Sequence, residues 1–372
     1  MPGHDLIVIG GSAGATQALQ EIVASLPKDL PAAILVVVHT APTGPGFLAN
    51  MLDRSGPLPA ERAQDGQRIE PGRIYVAPPN FHLIVKGRQL GVVHGPRENG
   101  FRPAVDPLFR TAARAYGSRV VGVVLSGGLD DGTEGLLIIK NNQGMAVVQD
   151  PSDTAFPSMP ASAIAHCEVD MVLPAKQIGE ALVRLANMPV PEKALEATPA
   201  VETEPDVVEV GEHALQSGKR YDVRNGLTCP ECGGALGEES DGNLRRFRCH
   251  VGHRYSEQSL MAAQDQFLES ALWAGVRALE ESAALRRRLA RRSNPRWPRI
   301  ASEYIEQAKE AEHRAAILRG VVVESLNGKA RGPVEPGPHV APDAKPTELL
   351  RGKKSPGKRR LVATKTARRK IA

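Results

Sequence analysis

The sequence predicts an α/β fold: a doubly wound, mostly parallel sheet, followed by a small zinc module and an α-helical hairpin. Three observations carry this expectation. Short aliphatic runs alternate with helix-like stretches over residues 1–187, as in successive βαβ crossovers. Three of the four cysteines gather between residues 224 and 255 with two histidines beside them. Two long segments with apolar residues at helical spacing follow, separated by Asn294-Pro295 and Pro298.

Taken in order, residues 6–9 form a buried-strand run ending in Gly10-Gly11, and Ala33–Val38 a second run ending at His39. Residues 120–125 form a third, ending at Ser126-Gly127-Gly128; residues 145–148 and Met171–Leu173 read as shorter strands. Helical patterns fall at Ala15–Ala24, 45–53, 105–115 and 132–141. Residues 73–77, 83–86 and 90–94 read together as a local antiparallel insertion turning at Gly87. The division expected is a first domain over 1–187, an acidic proline-bearing linker over 188–223 and a cysteine-bearing module over 224–255. A helical hairpin over 256–326 and a basic disordered tail over 327–372 complete it. The hairpin's stripes run through Leu268, Leu272, Val276, Leu279 and Ala283, then Ile300, Tyr304, Ala308, Ala311, Ala315, Leu318 and Val322.

Composition narrows the function. Hydrophobic residues make up 41% and charged residues 24%, as in globular proteins. No apolar run approaches the ~20 residues of a membrane span. The first residues lack the basic region of a signal peptide, and four cysteines in 372 residues exclude a disulfide scaffold, so a cytoplasmic location is expected. The net charge of +5 is uneven: residues 327–372 carry a net +10 and the rest −5. The basic balance belongs to the tail, so pI alone does not argue for nucleic-acid binding.

Ser12, His39 and Asp131 follow the three strongest strands, which puts them on one edge of a parallel sheet. Gly10-Gly11-Ser12-Ala13-Gly14 fits the G-x-S-x-G turn that exposes a serine hydroxyl before a helix. A histidine is required to take the serine proton, and an aspartate to fix the imidazole tautomer. The chain order Ser, His, Asp is not that of the α/β-hydrolases. Blander alternatives exist for each residue. A glycine-rich turn often binds a dinucleotide, although Ser12 breaks the G-x-G-x-x-G pattern, and Asp131 could simply cap a helix.

The first domain resembles the catalytic domain of the CheB protein-glutamate methylesterases of chemotaxis. The resemblance runs through IVIGGSAGATQAL, VVVHTAPTGPGFLANML, GRIYVAPPNFHLIV, FRPAVDPLFRTAA, VVGVVLSGGLDDGTEGL and SMPASAI, in the family's order. It implies Ser12 as nucleophile, His39 as base, Asp131 as the triad carboxylate, and the N–H groups of Ala13 and Gly128 as the oxyanion hole. It implies hydrolysis of glutamyl methyl esters on chemoreceptors, with deamidation of glutamine as a companion activity. No cofactor is needed for this step, and other chemosensory proteins are expected partners. Many members read T-G-M-G-x-D-G where this chain reads Ser126-Gly127-Gly128-Leu129-Asp130-Asp131-Gly132, and Asp130 is a neighbouring candidate for the carboxylate. Many also carry a receiver domain before the esterase; the first strand here starts at Leu6, so a receiver-less form is expected.

Cys229-Pro-Glu-Cys232 and Cys249-His-Val-Gly-His253 have the spacing of a tetrahedral zinc site, with His250 competing for the fourth position. Four protein ligands would make it structural, and a module with so few apolar residues needs the metal to fold. Cys167 stands alone and is expected in the core. The hairpin stripes suggest self-association, and the basic tail contact with nucleic acid or an acidic membrane surface. Rival readings are a non-catalytic scaffold on an esterase fold and a nucleic-acid-associated regulator.

Overall fold

The computed structural model describes residues 3–44, 46–190, 226–241, 244–294 and 296–329. The expected linker beyond Val190 and the expected tail beyond Lys329 lie outside the described residues. Met1–Arg319 form one compact unit; of the second, Gly320–Ala372, only the last turns of a helix are described.

The chain opens with β1 (Leu6–Gly11), α1 (Ala15–Ala24), β2 (Ala33–Val38), α2 (Leu48–Ser55), β3 (Ala60–Arg62) and β4 (Ile74–Val76). An antiparallel hairpin, β5 (His82–Lys86) and β6 (Gln89–Val93), turns at Gly87. Then follow α3 (Val105–Tyr116), β7 (Val120–Val124), α4 (Thr133–Asn141), β8 (Met145–Gln149), α5 (Ser158–His166), β9 (Met171–Leu173) and α6 (Ala175–Asn187). Seven strands form a parallel sheet in the order β3-β4-β2-β1-β7-β8-β9.

The unbroken apolar runs of the central strands have a direct cause. Ile7 and Ile9 of β1, with Ile34 and Val36 of β2, face one core together with α1, α2 and α6. Leu6 and Val8, with Leu35 and Val37, face the other, against α3, α4 and α5. With helices on both faces, neither alternation of a half-exposed strand survives. Burying one such side chain contributes about 1.5–3 kcal/mol.

Two expectations need correction. The segment around Ile74–Val76 is not part of the antiparallel insertion; it pairs in parallel with β2 and β3 inside the main sheet. Pro78-Pro79 separates it from the hairpin, which starts only at His82. The helix expected from residue 45 begins at Leu48, because Gly46 adopts a left-handed φ of 67° that an α-helix cannot contain.

The cysteine-bearing module is a three-stranded antiparallel sheet of β10 (Leu236–Asp241), β11 (Leu244–Cys249) and β12 (Arg254–Ser256). Leu236, Phe247, Tyr255 and Leu260 make its small core with Cys229 and Cys249. Ser256 caps the next helix, α7 (Glu257–Ser293), through a reciprocal capping box with Ser259. α8 (Pro298–Lys329) returns alongside it, joined at a seam of Leu279, Ala283, Ala308 and Ala311. Leu268 is 58% exposed, so the apolar stripe read from the sequence is wider than the seam. Alanines make most of the contact, with Leu279 packed against them.

Candidate functional site

β1, β2 and β7 lie side by side at the centre of the sheet, and the three residues singled out in the sequence follow their carboxyl ends. Ser12 comes first. Its N–H donates to the Ser126 carbonyl (2.8 Å), and the His39 N–H donates to the Gly11 carbonyl (3.1 Å), which ties the three strand ends together. Gly14, at a φ of 81°, ends the turn and caps α1, a conformation that favours glycine. Close packing fixes the neighbouring loop. A Cβ on Gly127 would lie 2.8 Å from Ser12 Cβ and 2.1 Å from Met159 Sδ. Only glycine fits there. The N–H groups of Ala13 and Gly128 meet no protein acceptor among the described residues.

His39 and Asp131 are in direct contact, Nε2 to Oδ2, at 2.7 Å. The ring of Phe101 stacks on the imidazole at 3.7 Å between centroids and 9° between planes. His39 Nδ1 is buried without a hydrogen-bond partner among the described residues. With Nε2 committed to the carboxylate, Nδ1 is the nitrogen left to accept a proton. Asp131 is 1% exposed and accepts three further bonds: from the Val105 N–H (2.7 Å), the Asp106 N–H (3.2 Å) and Asn99 Nδ2 (3.0 Å). Burial alone would raise its pKa. The hydrogen bond and charge of His39, with the Val105 and Asn99 donors, outweigh burial and hold the carboxyl below its usual range.

Asp130, the neighbouring carboxylate, turns away and accepts from Ser256 Oγ at 2.6 Å. Burial raises its pKa. Asp106 sits beneath the site, accepting from the Gly132 and Gly135 N–H groups at 3.0 and 2.8 Å and from Asn99 Nδ2 at 3.0 Å. Burial first, and the nearby charge of Asp131 second, push its carboxyl well above the usual value. Neither Asn99 nor Asp106 stood out in the sequence.

Ser12, His39, Thr40, Phe101, Arg97 and Arg102 line an open cleft of about 620 Å³. Arg102 is anchored by Asn80 Oδ1 (2.8 Å) and the Gly95 carbonyl (2.6 Å). The cleft therefore joins a hydroxyl, a buried imidazole–carboxylate pair, free backbone N–H groups and cations, a set suited to acyl transfer.

The second constellation is in the small module. Cys229, Cys232, Cys249 and His253 bring their ligand atoms within 4.8 Å of one another and could hold a metal ion. Cys232 Sγ lies 3.7 Å from Cys249 Sγ, and His253 Nδ1 lies 3.6 and 3.5 Å from Cys229 and Cys249 Sγ. Bond lengths of about 2.3 Å to sulfur and 2.0 Å to nitrogen put the ligand atoms of a tetrahedral three-sulfur, one-nitrogen site about 3.5–3.8 Å apart, so the set fits zinc. Glu231 Oε2 sits 3.2 Å from His253 Nε2, fixing the ring with Nδ1 toward the thiols. His250 is exposed and outside the cluster, its ring packed against Gly234. Cys167 is buried in the core of the first domain, and burial pushes its thiol up to about 11.

Among the described residues no helix is long and apolar enough to cross a membrane. The family model described as CheB methylesterase matches residues 7–182. A Leptospira interrogans protein, provisionally named protein-glutamate methylesterase/protein-glutamine glutaminase, is 38% identical over 183 residues, 49% of this chain and 95% of that protein. A protein-glutamate methylesterase/protein-glutamine glutaminase of Anaeromyxobacter dehalogenans is 41% identical over 184 residues, 49% of this chain and 54% of that protein. The crystal structure of the Thermotoga maritima CheB methylesterase catalytic domain is 36% identical, with a TM-score of 0.47, covering 49% of this chain and 98% of that one. On the family match and on the Leptospira relative, which the alignment covers almost entirely, the chain belongs to the CheB methylesterase family.

Proposed function

We propose that this protein is a serine hydrolase that removes methyl groups from glutamyl methyl esters on chemoreceptors. The observation that carries the reading is the His39–Asp131 pair, whose free imidazole nitrogen is buried in the cleft wall it shares with Ser12. In this mechanism Ser12 Oγ attacks the ester carbonyl carbon while His39 Nδ1 takes its proton. The tetrahedral oxyanion is held by the N–H groups of Ala13 and Gly128. The C–O bond to the methoxy group then breaks, and His39 returns the proton so that methanol departs. Water, deprotonated by the same nitrogen, attacks the acyl-enzyme and releases the glutamate carboxylate and Ser12. Asp131 stays ionised throughout, holding the Nε2–H and stabilising the imidazolium.

The relatives' names join glutaminase to methylesterase activity. The same acyl-enzyme forms from a glutamine side chain when ammonia leaves in place of methanol. The Cys229, Cys232, Cys249 and His253 set belongs to the proposal as a structural Zn²⁺ site, since all four positions are filled by protein. In this reading residues 1–187 are the catalytic domain, 188–223 a linker, 224–255 the zinc module, 256–326 the hairpin and 327–372 a basic tail.

The test is methanol release from a methylated chemoreceptor cytoplasmic fragment. Release by the intact chain that disappears in Ser12→Ala supports the proposal. A folded protein that releases none from any of several receptors overturns it and favours a non-catalytic scaffold.

A further inference from the structure

The module that follows the catalytic domain is joined to the site by main-chain and side-chain bonds. The segment from Arg97 to Phe101 carries the ring that stacks on His39 and the amide that bonds Asp131. That segment meets β12 at a single parallel bridge: Asn99 N–H donates to the Arg254 carbonyl (2.8 Å), and Arg254 N–H to the Arg97 carbonyl (3.3 Å). Beneath it, Glu98 and Glu134 of the catalytic domain are buried with Arg110 and with two cations of the module. Arg110 bonds Glu98 at 2.8 and 3.0 Å and lies 3.4 Å from Glu134. Arg246 and Arg254 stand 3.4 and 3.6 Å from Glu134. Removing them would leave buried carboxylates in excess over their cations.

Asn99 is the joint. It is 5% exposed, and its left-handed φ of 53° is one that asparagine tolerates. Its Nδ2 donates to Asp106 (3.0 Å) and Asp131 (3.0 Å), while its Oδ1 accepts from the Ser256 N–H (3.1 Å) and Ser259 Oγ (3.0 Å). The hydroxyl protons fit one scheme. Ser256 Oγ–H goes to Asp130 (2.6 Å), and Ser256 Oγ accepts from the Ser259 N–H (3.0 Å), which leaves the Ser259 hydroxyl proton for Asn99. With its nitrogen presented to two carboxyl groups, the amide turns its oxygen to the other side, and donors there favour this orientation over the flipped one. The capping box at the start of α7 supplies those donors.

We propose that Asn99 is a positioning residue for Asp131, and that Ser256 and Ser259 of the C-terminal module set its amide the right way round, so that the module completes the esterase site. This inference rests on the triad mechanism proposed above. It makes the module an integral support of catalysis, acting through Asn99 and without touching substrate.

The experiment uses the full chain and two readouts. The first is the rate at which a fluorophosphonate acylates Ser12, which needs no knowledge of the natural ester. The second is kcat and KM for methanol release. Asn99→Ala is expected to slow acylation about 10–100-fold and Ser259→Ala about three- to tenfold, with KM unmoved. In the double variant the Ser259 effect is expected to vanish, leaving the rate within about twofold of Asn99→Ala alone. Ser259→Thr, which keeps the hydroxyl, is expected to restore the rate. Wild-type acylation by Ser259→Ala, or losses that multiply in the double variant, would overturn the inference. Should the double variant melt below the assay temperature, Asn99→Asp decides. It keeps the shape and loses the donor, so it must be slower than Asn99→Ala; an equal or faster rate refutes the assignment. Acylation without methanol release would sink the methylesterase reading and leave the acylation arm to decide this one. No acylation of the wild-type chain would overturn both.

Discussion

Replacing Asp131 with asparagine tests the polarity of the site most directly. The carboxylate accepts four hydrogen bonds, two on each oxygen: His39 Nε2 and the Val105 N–H on Oδ2, the Asp106 N–H and Asn99 Nδ2 on Oδ1. An amide has one accepting end, so either orientation turns its NH2 toward two of those donors. If the NH2 faces His39, Nε2 must become the acceptor and the imidazole proton moves to Nδ1, which can then no longer take the proton of Ser12. If it faces Asn99, the network to the module breaks instead. The first orientation leaves one buried donor unpaired, the Val105 N–H, and the second leaves two, at about 1–3 kcal/mol each, so a destabilisation of about 1–6 kcal/mol is expected. A wrong tautomer lowers kcat by about 10⁴-fold in the serine-protease triad, and a loss of about 10³–10⁴-fold is expected here. Chemical denaturation measures the first and methanol release the second. A variant within tenfold of wild-type kcat would refute the orientation that turns the NH2 to His39, and unchanged stability as well would refute the four-acceptor role given to Asp131.

Further outcomes can be checked alongside. Gly127→Ala, whose Cβ would collide with Met159 Sδ and crowd Ser12, should lower activity by at least tenfold while binding of a receptor fragment is kept, as judged by calorimetry. Acid should unfold the protein through Asp131 and Glu134. Both are held below their usual values, Glu134 to about 2, where the charges of Arg254, Arg246 and Arg110 overcome burial. Groups with depressed pKa values stabilise fully above their unfolded values near 4 and lose that contribution as pH falls toward 2. A melting temperature flat between pH 5 and pH 2 would contradict this. The purified chain should carry one zinc per molecule by elemental analysis, and Cys232→Ser or a strong chelator should remove it and lower the melting temperature.

Ser12, His39 and Asp131 are legible in the sequence because each follows a strand that is apolar on both faces, and a parallel sheet brings such strand ends to one edge. The cysteine spacing was equally plain, since two ligand pairs lie four and five residues long in the chain. β3 escaped notice because three residues, Ala60–Arg62, cannot display a period. β4 was assigned to the wrong sheet because aliphatic residues in a short strand do not name their partner. The support of Asp131 was invisible for a different reason. Asn99 meets Ser259 across 160 residues, and an Asn-Gly pair looks locally like any turn. No short-range pattern encodes that bond.

That separation also has a consequence in time. Ribosomes release chains at about 5–20 residues per second, so roughly 4–14 s pass between synthesis of the last strand-and-helix unit at Asn187 and that of Ser259. During that interval the nascent chain has Ser12, His39 and Asp131 but not the Ser256 and Ser259 groups that bond the Asn99 oxygen. If the proposed role of Asn99 holds, a chain made only as far as Asn187 would acylate more slowly than the finished one, by no more than the factor lost in Asn99→Ala.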